Sequence, residues 1–388
     1  MKAGWQIKTL GDVCIVEKRQ GIHKHLPYIG LEDIEAHTGR FLGSTDEQEV
    51  KSSTFMFSPD HLLYGRLRPY LNKVLAPDFA GHCSTEIFPL KPRRGLLRDF
   101  LQYWFLREET VRQIDATSTG ARMPRANMDA VLDFEFLLPP LPEQHRIIST
   151  LDEAFVGITT AKAHAEKNLK NARALFDSHL EAVFSQRGEG WGERPFNDVC
   201  AFVRGPFGGS LTKSIFVTDG YAVYEQQHAI YNQFSQIRYF VNEAKFREMK
   251  RFELFPNDLI MSCSGTMGRV AVVPEGIKPG IINQALLKLT PNAKASSSYL
   301  KMWMESEAFQ DALAVYSGGA AIQNVASVKV LKEIKVPLPS TEEQRRIVEK
   351  IETFSEDTQR LEVLYRRKLT ALEELKKALL HQAFAGEL

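Results

Sequence analysis

The chain has 388 residues, too many for one ordinary hydrophobic core, which predicts two domains or more. A quarter of the residues are charged, yet the formal net charge is only +1. That balance argues against a protein that coats nucleic acid through bulk positive charge, while leaving room for a local basic face or for a partner that neutralises phosphate. No apolar run is long enough to span a membrane, and the start, MKAGWQIKTL, lacks the apolar core of a secretion signal. Cys14, Cys83, Cys200 and Cys263 lie far apart, without the close spacing of a metal site or a small disulfide framework. They read as reduced thiols in a cytoplasm.

In chain order, the first mark is Trp5 to Cys14, WQIKTLGDVC, which returns as Trp191 to Cys200, WGERPFNDVC. After each mark come short apolar stretches with Gly and Pro, read as mixed strands and short helices. A helical pattern lies near Leu96 to Thr110, and its counterpart near Ser298 to Leu313. Each half then closes on prolines followed by Glu-Gln-x-Arg-Ile: PLPEQHRII from Pro140, and PLPSTEEQRRIV from Pro337. Two prolines before a run without breakers are a stop followed by a helix start. Ser340 stands three residues before Glu343, the spacing of a capping box.

From these starts, helices are expected over 143–184 and 343–384. In the first, Leu151, Phe155, Ile158, Lys162, Ala165, Leu169, Ala172, Phe176, His179 and Val183 alternate steps of three and four. In the second, Ile347, Ile351, Phe354, Thr358, Leu361, Tyr365, Lys368, Leu372, Leu375, Leu379 and Gln382 do so less cleanly. A sustained period of 3.5 predicts a coiled coil, and the economical partner for each helix is the other. The expected fold is α+β: two similar mixed α/β domains, 1–140 and 188–338, separated by two long antiparallel coiled-coil helices, 141–187 and 339–388, in a pseudo-twofold internal repeat.

No glycine-rich phosphate loop, dinucleotide fingerprint, His-Glu-x-x-His or Cys-x-x-Cys is present, and Glu86 lacks the following lysine of a nuclease-like site. The chain is read as lacking a catalytic centre of its own. What remains suits nucleic acid. HLLYGRLRPYLNK, from His61 to Lys73, carries Arg66, Arg68, Tyr70, Asn72 and Lys73, and Arg forks onto guanine, Asn onto adenine and Lys onto phosphate. Its counterpart, Asp258 to Val270, has a similar framework with different polar residues, Thr266 and Arg269 among them. A polar loop also precedes each closing motif, Ser118 to Asn127 and Ser317 to Asn324. Such a loop can approach a phosphate, or it can be just a turn into the last strand.

This order of parts resembles the specificity subunits of type I restriction–modification systems: a variable domain, a PLPxxEQ-headed long helix, and both again. Tyr28 to Ile34, LRPYLNKV from Leu67, Cys83 to Glu86, and Asp258 to Val273 with Ile282-Asn283-Gln284 are similar too. The resemblance implies that each variable domain is a target recognition domain for half of a split DNA sequence, and that the helices are a ruler. It implies no cofactor in this chain. Two modification subunits would supply S-adenosylmethionine-dependent adenine methylation, and restriction subunits would supply ATP- and Mg-dependent translocation and cleavage. Candidate DNA contacts are Arg66, Arg68, Tyr70, Asn72, Lys73, Ser84, Arg122 and Arg125 in the first half. In the second they are Ser210, Lys213, Thr266, Arg269, Asn283 and Gln284. Glu143, Gln144, Arg146, Glu343, Gln344 and Arg346, in the repeated motif, are the candidate partner contacts. The rival reading is a coiled-coil adaptor that binds only proteins.

Overall fold

The computed structural model describes residues 4–315 and 328–388. They form two compact units, Met1–Lys167 with Tyr365–Leu388, and Asn168–Leu364. The division falls inside the two long helices, because each packs into one unit's core near its start and into the other's near its end.

In the first unit β1 (Gln6–Thr9) is followed by α1 (Leu10–Val13), β2 (Cys14–Val16), β3 (Gln20–Gly21), β4 (Tyr28–Ile29), β5 (Thr54–Phe57), β6 (Leu62–Gly65), β7 (Val74–Leu75), β8 (Gly81–Cys83) and β9 (Ile87–Pro92). Then come α2 (Arg98–Leu106), α3 (Glu108–Ala116), α4 (Met128–Leu132), β10 (Glu135–Leu138) and the 45-residue α5 (Leu141–Ser185). Sheets run β2-β9-β6-β7 and β3-β5-β8-β4, and β1 pairs with β10. β6 is buried at every position, so it reads as a continuous apolar run rather than an alternating one.

The second unit writes the same order with insertions: β11 (Gly192–Pro195), β12 (Cys200–Arg204), β13 (Tyr221–Tyr224), α6 (Gln226–Tyr231), β14 (Tyr239–Val241), α7 (Glu243–Glu248), β15 (Leu259–Ser262), β16 (Val270–Val272), β17 (Gly280–Ile282) and β18 (Leu286–Pro291). α8 (Ser297–Glu305), α9 (Glu307–Val315), α10 (Val328–Glu333), β19 (Lys335–Leu338) and the 45-residue α11 (Thr341–Ala385) follow. Its sheet β12-β18-β15-β16 repeats the topology of β2-β9-β6-β7, and β11 pairs with β19 as β1 does with β10. The fold is the expected α+β internal repeat.

Each helical pattern after the sheet is two helices rather than one. The break falls at Arg107 and at Ser306, both extended (ψ 137° and 153°). The Ser306 hydroxyl donates to the Trp303 carbonyl, which removes the need for a continuing helical bond there.

The long helices begin where the prolines place them. The Glu343 amide donates to the Ser340 hydroxyl at 3.2 Å, half of the expected capping box. Within the first unit, residues 141–167 of α5 lie antiparallel to residues 365–385 of α11, with Ile147, Leu151, Leu380, Ala383 and Phe384 in its core. Within the second, Leu180, Phe184, Ile347 and Ile351 do the same. The α5 positions named from the sequence are its buried and half-buried stripe. The α11 stripe is corrected in part: Leu361, Lys368, Leu375 and Gln382 are exposed, and Glu362, Leu369, Lys376 and Ala383 turn inward. Choosing the leucines shifted the phase by one residue. Lys376 reaches inward because its aliphatic stem covers apolar surface while its ammonium sits 5.3 Å over the Phe155 ring.

Candidate nucleic-acid interface

In each unit several of the polar residues named from the sequence stand at one end of the repeated sheet. In the first, the β6 strand ends at Gly65, and the Arg66 amide donates to the Glu86 carbonyl at 2.9 Å. The Glu86 carboxylate then organises the edge. It accepts from Arg66 Nε at 3.1 Å and from Arg125 Nη2 at 2.9 Å, with Arg125 Nε at 3.1 Å. Burial alone would push the Glu86 carboxyl up, but the hydrogen bonds and charge of Arg125 and Arg66 outweigh it and hold it below the usual carboxylate range. The Arg66 guanidinium also lies 4.9 Å over the Phe88 ring. Backbone bonds draw in the loop before α4: Arg68 N to Pro124 O at 2.7 Å, and Ala126 N to Arg66 O at 2.9 Å. Arg66, Arg68 and Arg125 therefore stand together, with Arg68, Tyr70 and Arg122 exposed. Arg68 has a left-handed backbone (φ 51°), which an L-residue adopts at a cost and which turns its side chain out of the strand direction.

Two named residues have a different task. Asn72 is buried, also left-handed (φ 39°), and its amide donates to the Phe105 carbonyl at 2.9 Å, so it closes a turn against α2. The Lys73 ammonium donates to the carbonyls of Leu31 and Ile34 at 2.6 and 2.8 Å and tethers that turn. Ser84 sits in the β8–β9 turn, its hydroxyl accepting from the Glu86 amide at 3.3 Å. Asn127 is the N-cap of α4, accepting from the Ala130 amide; its counterpart Asn324 lies outside the described residues.

In the second unit the Cys263 amide donates to the Ala285 carbonyl at 2.9 Å, the same backbone bond at the same sheet end. The edge is built from hydroxyls, amides and glycines. The Ser262 hydroxyl donates to the Thr266 carbonyl at 2.6 Å and accepts from the Arg269 amide at 3.0 Å, pinning a loop whose Gly265 and Gly268 have φ of 64° and 73°. Ser264 bonds Gln226 on α6 at 3.1 Å. The Asn283 side chain accepts from the Ala285 amide at 3.0 Å. The chain at Gly205 passes so close that a Cβ there would stand 1.9 Å from the Asn283 carbonyl oxygen. Thr266, Arg269, Gln284 and Lys213 are exposed, and Ser210 and Asn283 half-buried.

Sequence reasoning missed the central part of Glu86 and the contribution of Gln226. Arg125 is 39 residues from Glu86, so no local spacing signals the pair.

The repeated closing motif resolves into a latch. The Gln144 oxygen accepts from the Leu97 amide at 2.8 Å, and its nitrogen donates to the Gly95 and Pro139 carbonyls, both at 2.8 Å. Gln344 does the same with the Ser296 amide at 3.0 Å and the carbonyls of Lys294 and Pro339 at 2.8 and 3.0 Å. Both side chains are fully buried, so neither glutamine is open to a partner as expected from sequence; each ties a long-helix start to the start of α2 or α8. Arg146 and Arg346 remain exposed, the first forked onto the half-buried Glu143 at 2.8 and 2.9 Å, the second on Glu342 at 2.6 Å and near Glu343 at 3.7 Å.

The family model for the type I restriction modification DNA specificity domain matches residues 2–170 and again 188–370, so the chain belongs to the family of type I restriction–modification DNA specificity proteins. It is 28% identical over 166 residues to the type I restriction enzyme EcoDI specificity subunit of Escherichia coli, covering 42% of this chain and 36% of that one. It is 24% identical over 300 residues to the EcoBI specificity subunit of the same organism, covering 71% and 63%. The chain thus matches less than two thirds of the length of either relative. Two solved chains share the fold throughout. One belongs to a study of complex assembly and conformational transition of the type I R-M system (TM-score 0.83, 21% identity, covering 100% of this chain and 99% of that one). The other is the HsdS subunit from Thermoanaerobacter tengcongensis (TM-score 0.72, 20% identity, covering 100% and 98%). Among the described residues, no helix is long and apolar enough to cross a membrane.

Proposed function

We propose that the chain is the non-catalytic, sequence-reading subunit of a type I restriction–modification complex, each recognition domain reading one half of a bipartite DNA target. The long helices set the gap between the half-sites and dock two modification subunits. S-adenosylmethionine, ATP and Mg act in the partner subunits, restriction subunits included, and none is held here. One observation carries this reading: the two units repeat the same sheet and backbone bonds yet expose different polar side chains at the same sheet end, as two readers of unlike sequences would.

The test is to co-express the chain with its modification subunits and map methylated adenines across the host genome. A motif of two unlike halves with a fixed gap is expected. Inserting four residues within 158–170 of α5, about one helical turn or 6 Å, should keep both halves and lengthen the gap. Arg68→Ala should relax one half only, a lost base contact costing about 1–3 kcal/mol. An insertion that changed the bases read while the gap stayed fixed would overturn the reading.

A further inference from the structure

The two long helices look interchangeable by their headers, and their polar contacts show that they are not. Gln144 and Gln344 set the repeat register at a shift of 200 residues. In the first unit, Lys162 on α5 donates to Glu373 on α11 at 2.5 Å. In the second, Arg173 on α5 meets Glu362 on α11 at 3.1 Å. At the repeat shift, Lys162 corresponds to Glu362 and Arg173 to Glu373. The same contact is therefore made twice, at repeat-related positions, and in both cases α5 supplies the cation and α11 the anion.

Consider instead α5 beside a second α5 in this register. Lys162 would face Arg173 twice. Two α11 helices would set Glu362 against Glu373 twice. Like charges so placed repel by about as much as opposite charges attract. Side-chain size points the same way. α5 buries Ala165 and Ala172, whereas α11 carries the half-buried Tyr365 and Leu372 at the corresponding positions. Two copies of α5 would bring alanine from both sides and leave the middle of the contact underfilled, and two copies of α11 would overfill it.

We propose that these charges and sizes form a partner code by which α5 accepts α11 and rejects a copy of itself, and α11 likewise. The consequence, resting on the function proposed above, is that two unlike recognition domains stay in one reader. A like-with-like assembly would present two identical domains and hence a symmetric target. The pairing rule itself stands without any DNA reading.

The experiment uses the full chain. Glu362→Lys with Glu373→Arg gives α11 the charged residues of α5, so that the native contact reproduces the α5–α5 juxtaposition. Lys162→Glu with Arg173→Glu reproduces the α11–α11 one. The fourfold exchange restores opposite charges with the signs reversed. Each double variant should melt below the parent by about 2–4 °C at low salt. The fourfold exchange should recover most of that loss, and 1 M salt should shrink the differences. If a double variant fails to fold, a folded fourfold exchange still supports the code. The code is overturned if both doubles melt with the parent, or if the fourfold exchange melts no higher than the doubles or fails to fold with them. Melting involves no DNA, so loss of bipartite methylation with this pattern intact would count against the proposed function alone.

Discussion

At the end of β6 the first domain places Arg66, and at the end of β15 the second places Cys263. Each donates its amide to a carbonyl 2.9 Å away, that of Glu86 or of Ala285. The backbone frame is one and the same. In the first domain the two positions are an ion pair that gathers Arg125 and, with it, the loop before α4. In the second they are a thiol and a methyl group, and the work of shaping the edge passes to Ser262, Asn283 and three glycines. The comparison teaches that the sheet tolerates opposite solutions at its polar end, one electrostatic and rigidly crosslinked, the other made of close-packed turns.

The strongest test of the shared frame is the latch. Gln144→Ala would strip the half-buried Leu97 amide and Gly95 carbonyl and the buried Pro139 carbonyl of this partner, which costs about 3 kcal/mol. Gln344→Ala should cost about the same, since its bonds are the same in kind. Gln→Glu at either site keeps the acceptor but sets a buried carboxylate against two carbonyl oxygens, so it should cost at least as much as Ala. Chemical denaturation of the four variants checks this; a large cost at one glutamine and none at the other would break the equivalence of the two halves.

The difference between the edges is probed by Glu86→Gln. The Glu86 carboxyl is held below its ordinary range, so its contribution is present above the unfolded carboxylate pKa and is lost as pH falls through the lower folded value. Allowing for solvent screening of the half-exposed arginines, about 1 kcal/mol is at stake. The variant should lose that acid-side dependence and relax one half of the methylated motif. An unchanged motif and an unchanged acid limb would show that the Arg66–Glu86–Arg125 cluster is only a surface ornament.

The smallest expected effect concerns thiols. Cys14, Cys83, Cys200 and Cys263 are all buried, and burial pushes Cys14 up to about 12 and Cys263 up to about 11. A thiol reagent at neutral pH should label none in the native protein and all four in denaturant. Labelling of Cys263 but not Cys83 would mean that the glycine-built edge opens where the charge-clamped one does not.

Much of the framework was legible because it depends on local signals. Prolines, a hydroxyl and a breaker-free run mark a helix start regardless of what packs on it, and both long helices begin within two residues of where these signals put them. The phase of α11 was harder. Leucine advertises burial, so Leu361 and Leu375 drew the stripe toward them, whereas Glu362 and Lys376 turn inward to meet partners that only the folded chain supplies. The sheet edges were the least legible. Lys73 and Asn72 look like nucleic-acid ligands in a string, and only the nearby carbonyls of Leu31, Ile34 and Phe105 show that they hold turns.

Every bond made by Gln144 and Gln344 ends on a main-chain atom. A joint of this kind is blind to the side chains of the segment it holds. Whatever sequence either domain acquires, by drift or by wholesale replacement, the same glutamine can seat it, provided that the backbone arrives at the same place. The repeated motif is in this sense a standard coupling, and the freedom of the domains to diverge follows from its indifference.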